Sequence, residues 1–236
     1  MGALAHGKLG HLRMLRSSLH RGLFPLGVIV HSAAPGEIEG ALYDEEEQQI
    51  ARAVEKRRAE YRAARVLARR ALSELGLPPS PIVNAPDRAP IFPEGCVGTI
   101  THTRSLCLVA LAHADDYLAL GADVEAATPL KESLFETILR PEEQAALREL
   151  DPSDRALRAK LIFSIKEAAY KAQYPLSKRY FGFSGMRVEV QDGMFEAEMT
   201  IDAPPFPQGH RFRGRYAIEG GLILSALALP RDQGAI

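Results

Sequence analysis

Between Asp44 and Leu75, apolar residues recur at helical spacing: Ile50, Val54, Tyr61, Leu67, Leu72 and Leu75. Asp44 and Glu47 read as a capping pair at the start, and Gly76 with Pro78 and Pro79 ends the run. The stretch "PPSPIVNAPDRAPIFPEG" is too rich in proline for regular structure. Short β-type runs follow at 97–102, 105–112 and 117–124, separated by turn residues. After Ala127 the pattern returns to helix, with Pro129 and Pro141 opening two segments and a third helix over 154–173. Runs near 186–191, 194–201, 211–219 and 222–229, with "QDG" and "EGG" turns, predict an antiparallel meander. Helix, strands, helices, strands is the order of an α+β chain with two comparable halves. Their joint falls near Val124–Ala127, which gives an N-terminal half over 23–122 and a C-terminal half over 123–236. No sequence repeat proves the halves related.

Composition narrows the class. A chain of 236 residues with 46% hydrophobic and 25% charged positions can bury a sizeable core as one large domain or two small ones. The formal net charge of -1 supplies no global basic field to draw nucleic acid or a membrane. No apolar run approaches the length of a membrane span. Cys96 and Cys107 have neither metal-site spacing nor a disulfide framework, which suits a reducing, cytoplasmic setting. Residues 1–22 are basic and free of acids but lack an apolar run followed by a cleavage site. They read as a flexible leader.

Four stretches carry candidate chemistry. In "LALGADVEA", Asp123 and Glu125 stand two apart on a strand and project to the same side. Adjacent carboxylates repel unless a cation joins them, and hard oxygen ligands suit Mg²⁺; an isolated pair of this kind is more often a solvated strand end. "FSIKEAAYKA" places Lys166, Glu167 and Lys171 on an Ala-rich helix turn. Glu167 and Lys171 have the spacing of a plain surface salt bridge. Their neighbours Phe163, Ile165 and Ala168 mark a helix packed on much of its circumference, where such charges are more at home around a metal and phosphates. "GTITHTRS" sets Thr101 and His102 at a strand end, though a lone histidine is more often structural. "EKRRAEYRAARVLARR" holds Lys56, Arg57, Arg58, Arg62, Arg65, Arg69 and Arg70, with Arg52 just upstream. Its Arg58, Arg62, Arg65 and Arg69 form a helical stripe that suits either solvent or phosphate. Without interleaved aromatics, nucleic acid is a weak reading. There is no phosphate-binding G-x-x-x-x-G-K-[ST] loop, no G-x-S-x-G elbow and no H-E-x-x-H.

Taken in order, these stretches resemble the 4′-phosphopantetheinyl transferases of the Sfp/EntD-like branch, from about Leu23 to Val190. "KRRAEYRAARVLARRAL" is similar to the first family motif, "GTITHT" to G-S-[IL]-T-H, "LGADVE" to G-[IV]-D-x-E, and "FSIKEAAYKA" to F-S-x-K-E-[AS]-x-x-K. Ala64, Phe92, Thr99 and Ala122 depart from the usual residues, but no charged or metal-binding group is lost.

The resemblance implies two similar α+β halves related by a pseudo-twofold, with the site between them. It implies Mg²⁺-dependent (or Mn²⁺-dependent) transfer of 4′-phosphopantetheine from coenzyme A to a serine of an acyl or peptidyl carrier protein, releasing adenosine 3′,5′-bisphosphate. Asp123, Glu125 and Glu167 match metal ligands, and Asp123, Glu167 and Lys171 match the catalytic set. Lys166 and Lys171 match phosphate-contacting lysines. Arg57, Arg65, Thr101 and His102 match positions that hold coenzyme A, with His102 on the 3′-phosphate. The loop from Asn84 to Pro90, including Arg88, matches the segment around the adenine. A monomer that uses neither nucleic acid nor membrane follows by analogy; fatty-acid, polyketide, nonribosomal-peptide and siderophore carriers are not distinguished. The segment "QYPLSKRYFGFSGM" offers Tyr174, Leu176, Tyr180, Phe181 and Met186 with Lys178 and Arg179 as a docking surface for an acidic carrier. Alternatively, Phe181 and Phe183 plug the core. Two rival functions are a non-catalytic binding module of the same fold and a Mg²⁺ phosphodiesterase.

Overall fold

The alternating apolar runs pair into two antiparallel sheets, each covered by one long helix. In a computed structural model, which describes residues 19–231, the chain is α+β, as the order of its elements predicts. Strand β1 (Ile29–Ala33) is followed by helices α1 (Asp44–Ile50) and α2 (Glu55–Glu74). Strands β2 (Cys96–His102), β3 (Cys107–His113) and β4 (Tyr117–Ala126) come next. Then come α3 (Phe135–Ile138), α4 (Pro141–Leu147) and the long α5 (Pro152–Ser177). Strands β5 (Met186–Gln191), β6 (Met194–Met199), β7 (Arg211–Glu219) and β8 (Leu222–Pro230) close the order. The first sheet runs β1-β3-β2 and carries α2; the second runs β4-β8-β7-β6-β5 and carries α5.

Three apolar clusters account for the burial. One lies between α2 and the first sheet, around Leu67, Leu72, Ile82 and Leu111. Another lies between α5 and the second sheet, around Ile165, Phe195, Phe206 and Phe212. The third joins the sheets, with Leu108 of β3, Leu120 of β4 and Leu224 of β8 in one core. Leu19 and Leu23 are buried in that third cluster, so chain order begins before residue 22. The rest of the basic leader, residues 1–18, lies outside the described residues.

The N-terminal helical pattern resolves into two helices. Arg58 donates to the Ile50 carbonyl (3.0 Å) and to Glu47 (3.1 Å), capping the end of α1 with a side chain from α2. Val54, at the break, is exposed. Glu47 therefore does not cap the start of α1; the buried Glu46 does, accepting the Tyr43 N–H at 3.0 Å. Pro129 opens no helix, because Leu130 N–H donates to Ala156 O (3.0 Å) and holds that stretch extended against α5. The proline-rich loop contains a small hairpin: Asn84 bridges Pro90, with Arg88 in the left-handed region at its turn (φ 70°). The meander and its two turns match the sequence pattern closely.

Helix α5 sits directly on β4. A Cβ at Gly121 would lie 2.1 Å from the Ala168 carbonyl oxygen and 3.0 Å from the Ala172 Cβ. The Ser164 hydroxyl fastens the same contact through Asp123 O (3.2 Å) and Ser225 Oγ (3.0 Å). Gly121→Ala is therefore expected to destabilise the fold by about 1–3 kcal/mol. The change should appear as a lower denaturation midpoint at an unchanged slope. A wild-type midpoint would refute the close seating.

Candidate active site

β2 and β4 are the facing edges of the two sheets, and edge strands present unpaired backbone groups. Here the Ala122 and Val124 N–H groups donate to the buried hydroxyls of Thr99 (3.2 Å) and Thr101 (3.0 Å). The Thr101 hydroxyl in turn donates to Asp123 Oδ1 at 3.4 Å. This seam places Asp123 between the two helix-covered sheets, 5% exposed. Thr101, expected against coenzyme A, is instead enclosed in the seam, because its oxygen is needed by a buried amide.

Lys171, from α5, donates to Asp123 Oδ1 (2.8 Å) and to Ala122 O (3.1 Å). The other carboxylate oxygen, Asp123 Oδ2, is buried without a partner. Glu167 stands one turn earlier on the same helix. Burial pushes its carboxyl above the usual range; Lys171 opposes this, and the Asp123 and Glu125 carboxylates raise it further. Glu125 is turned to Lys160, 2.5 Å away. Among the described residues no three such side chains form a finished metal cage. Even so, a bare buried carboxylate oxygen beside two more carboxylates is a donor set that a hard divalent cation fits.

A second, basic pocket of about 130 Å³ gathers Arg57, Arg65, Asn84, Arg88, Pro90 and His102, all expected together from the sequence. Arg57 Nη1 donates to His102 Nε2 (2.8 Å), while His102 Nδ1 faces Glu60 at 3.7 Å. Burial lowers the His102 pKa; Glu60 opposes this, and Arg57, Lys171 and Lys56 add to it. Arg65 is buried beneath the pocket. It donates to Ile82 O (2.8 Å) and Asn84 Oδ1 (2.5 Å) and lies 3.7 Å over the Tyr61 ring. It shapes the 84–90 hairpin.

The arginine stripe is not an open phosphate face. Arg58 holds α1, Arg65 holds the hairpin, and Arg69 pairs with Glu46 at 2.8 Å. Lys166 also departs from expectation. Its ammonium is buried on Glu143 (2.7 Å) and Ile138 O (2.8 Å), away from Lys171. Neighbouring helix positions differ by about 100°, and although Lys166 and Glu167 border one cavity, the Lys166 ammonium is turned to Glu143.

A largely apolar cavity of about 230 Å³ borders Lys166 and Glu167, walled by Tyr170, Tyr180, Phe181, Phe183 and Met186. A wider groove of about 630 Å³ opens at Lys171 along Phe92, Val97, Leu118 and Tyr174. The segment after α5 divides between its two readings. Leu176, Phe181, Phe183 and Met186 pack on the core, whereas Lys178, Arg179 and the 83%-exposed Tyr180 face outward. Sequence reasoning passed over Glu60, Lys160, Glu143 and the Tyr174–Asp87 bond (2.9 Å) that ties α5 to the hairpin. For Glu60 a signal was present: Lys56 and Arg57 stand one turn before it.

Comparison with known proteins gives a consistent family. Residues 45–112 match the 4′-phosphopantetheinyl transferase N-terminal domain, and residues 119–218 match the 4′-phosphopantetheinyl transferase superfamily. The Streptomyces mobaraensis 4′-phosphopantetheinyl transferase Svp is 35% identical over 207 residues, 85% of this chain and 84% of that protein. The Mycobacterium tuberculosis transferase PptT is 34% identical over 78% of this chain and 85% of its own length. Enterobactin synthase component D of Salmonella typhimurium is 34% identical over 50% of this chain and 48% of its own.

The seam gives a direct test. Thr101→Val keeps the shape but leaves the Val124 N–H without an acceptor, and is expected to destabilise the protein by about 1–3 kcal/mol. Thr101→Ser keeps the oxygen and should lose less than about 1 kcal/mol. Equal unfolding midpoints for the two variants would mean that the hydroxyl does not hold the strands.

Proposed function

The chain belongs to the 4′-phosphopantetheinyl transferase superfamily, and from that membership we propose how its cleft transfers phosphopantetheine to a carrier protein. The donor is coenzyme A. Its 3′-phosphate meets Arg57 and His102, and its adenine lies along the hairpin of Asn84, Arg88 and Pro90, shaped from below by Arg65. Its pyrophosphate reaches Lys171 and the carboxylates.

One observation carries this reading. Thr101 and His102 are adjacent on β2, and their side chains go to opposite sides, one to Asp123 and the other to Arg57. The carboxylate site and the basic pocket are thus joined through one strand end. A ligand with two separated phosphate groups fits that arrangement.

Asp123, Glu125 and Glu167 would hold Mg²⁺ or Mn²⁺, which when bound offsets negative charge on the pyrophosphate. Lys171 donates to a phosphate oxygen and stabilises charge as the P–O bond breaks. The serine hydroxyl oxygen of the carrier attacks the phosphorus that bears pantetheine. The bond from that phosphorus to the bridging oxygen breaks, and the oxygen leaves with adenosine 3′,5′-bisphosphate. Glu167 takes the serine proton, directly or through a water.

The decisive experiment incubates the protein with apo-carrier protein, coenzyme A and Mg²⁺ and weighs the carrier by mass spectrometry. A gain of one phosphopantetheine is expected, abolished by EDTA and restored by Mg²⁺ or Mn²⁺. Asp123→Ala should lower turnover by about 100-fold or more. Nucleotide products without carrier modification would point to a phosphodiesterase, and coenzyme A binding without either product to a binding module.

The basic pocket has its own test. Dephospho-coenzyme A lacks the charge that Arg57 and His102 receive and should be used about 10- to 100-fold less well, the equivalent of one charge-assisted contact. His102→Ala should remove most of that preference. Equal use of both donors by the wild type would place the 3′-phosphate elsewhere.

A further inference from the structure

Lys166 shares a motif with Glu167 and Lys171 and borders the same cavity as Glu167, but its ammonium is bound to a buried carboxylate rather than to Asp123. It and Glu143 are each 2% exposed and 2.7 Å apart. Glu143 is saturated: Oε2 accepts from Lys166 and from Arg140 N–H (2.7 Å), and Oε1 accepts from Val188 N–H (2.7 Å). Lys166 also donates to Ile138 O at 2.8 Å. One buried pair therefore holds the end of α3, the start of α4 and strand β5 against α5.

The same knot occurs earlier in the chain. Buried Glu46 accepts from Tyr43 N–H (3.0 Å), from Arg69 (2.8 Å) and from Ile82 N–H (2.9 Å), and Arg69 also donates to Ala41 O. Ala41, Tyr43, Glu46 and Arg69 have the same mutual spacing as Ile138, Arg140, Glu143 and Lys166. Arg58 on Ile50 O is repeated, at that spacing, by Arg155 on Leu147 O (3.2 Å). In the first knot the residue after the cation is the exposed Arg70 rather than a glutamate, and the knot fastens α1 and the segments at Ala41 and Ile82 to α2.

We propose that Lys166 is a positioning residue, not a phosphate ligand. Acting through Glu143, it fixes the wall of the apolar cavity beside Glu167. The mechanical link is short. Glu143 holds Val188 of β5, and β5 begins at Met186, which lines that cavity with Phe181 and Phe183. The proposal rests on the transferase reading for its kinetic consequences, but the placement of the wall is measurable without turnover.

The test compares Lys166→Met, Glu143→Gln, the double variant and Lys166→Arg, the last because Arg69 fills the equivalent place in the first knot. Each of the first two is expected to lower kcat by roughly 10-fold, with the calorimetric Kd for coenzyme A within about twofold of wild type. The double variant should be no worse than the weaker single, since both remove one coupled pair. Lys166→Arg should recover kcat to within about threefold. Hydrogen exchange at residues 181–188 should speed up in Lys166→Met and Glu143→Gln and return to wild-type rates in Lys166→Arg.

A coenzyme A Kd raised several-fold by Lys166→Met, with Glu143→Gln at wild-type kcat, would overturn the proposal in favour of phosphate contact. Lowered unfolding midpoints with unchanged kcat in every variant would overturn it in favour of a plain stabilising bond. If the wild type transfers no phosphopantetheine, the transferase reading fails, and the exchange rates still decide: unchanged rates in the variants sink the positioning role.

Discussion

The bare edge of β4 is the constraint on which the structure turns. A buried edge amide without an acceptor is costly, and among the described residues no strand pairs with β4 on the side of β2. Thr99 and Thr101 supply oxygens in place of a strand, so two sheets with separate helices become joined through side chains. Because the Thr101 hydroxyl has a hydrogen left to donate, the joint also orients Asp123. Architecture and chemistry meet in that single hydroxyl.

Elsewhere, buried charge is carefully matched. Glu46, Glu143, Arg65 and Lys166 are all buried, and each reaches charged or backbone partners. The exception lies at the cleft. Asp123 Oδ2 has no partner, and Glu167 is held above its ordinary pKa by burial and by other carboxylates. His20 Nδ1 and Ser32 Oγ also lack a hydrogen-bond partner. Among the described residues, however, Asp123 Oδ2 is the buried carboxylate oxygen left bare, which is why the cleft is the candidate site.

Helix α5 divides its work by face. Ala168 and Ala172 let it approach β4 at Gly121, and Ser164 locks that approach. Glu167 and Lys171 face the cleft, while Lys166 faces the buried knot with Glu143. Packing on the other faces removes the helix's freedom to roll, so the two cleft residues inherit a defined direction. Tyr174, farther along, reaches the hairpin of the other sheet layer at Asp87 and ties the basic pocket to the same helix.

The sequence by itself determined the elements whose cause is local. Alternation and glycine turns laid out the meander from Met186 to Pro230, and the residue order gave the α+β class. The motifs around Asp123, Glu167, Lys171 and His102 already pointed to the transferase family. Only the tertiary structure decided which charges face the cleft. Lys166 and Lys171 sit on one helix, yet their carboxylate partners stand 23 and 48 residues away. Arg58, Arg65 and Arg69 look alike in a stripe until each meets its own distant carbonyl or carboxylate. Thr101 looked like a ligand contact until β4 approached it, and Glu46 rather than Glu47 became the cap once Arg69 and Ile82 converged on it. Local periodicity is written in neighbouring residues, whereas the partner of a buried charge is chosen by the packing that removes water from around it.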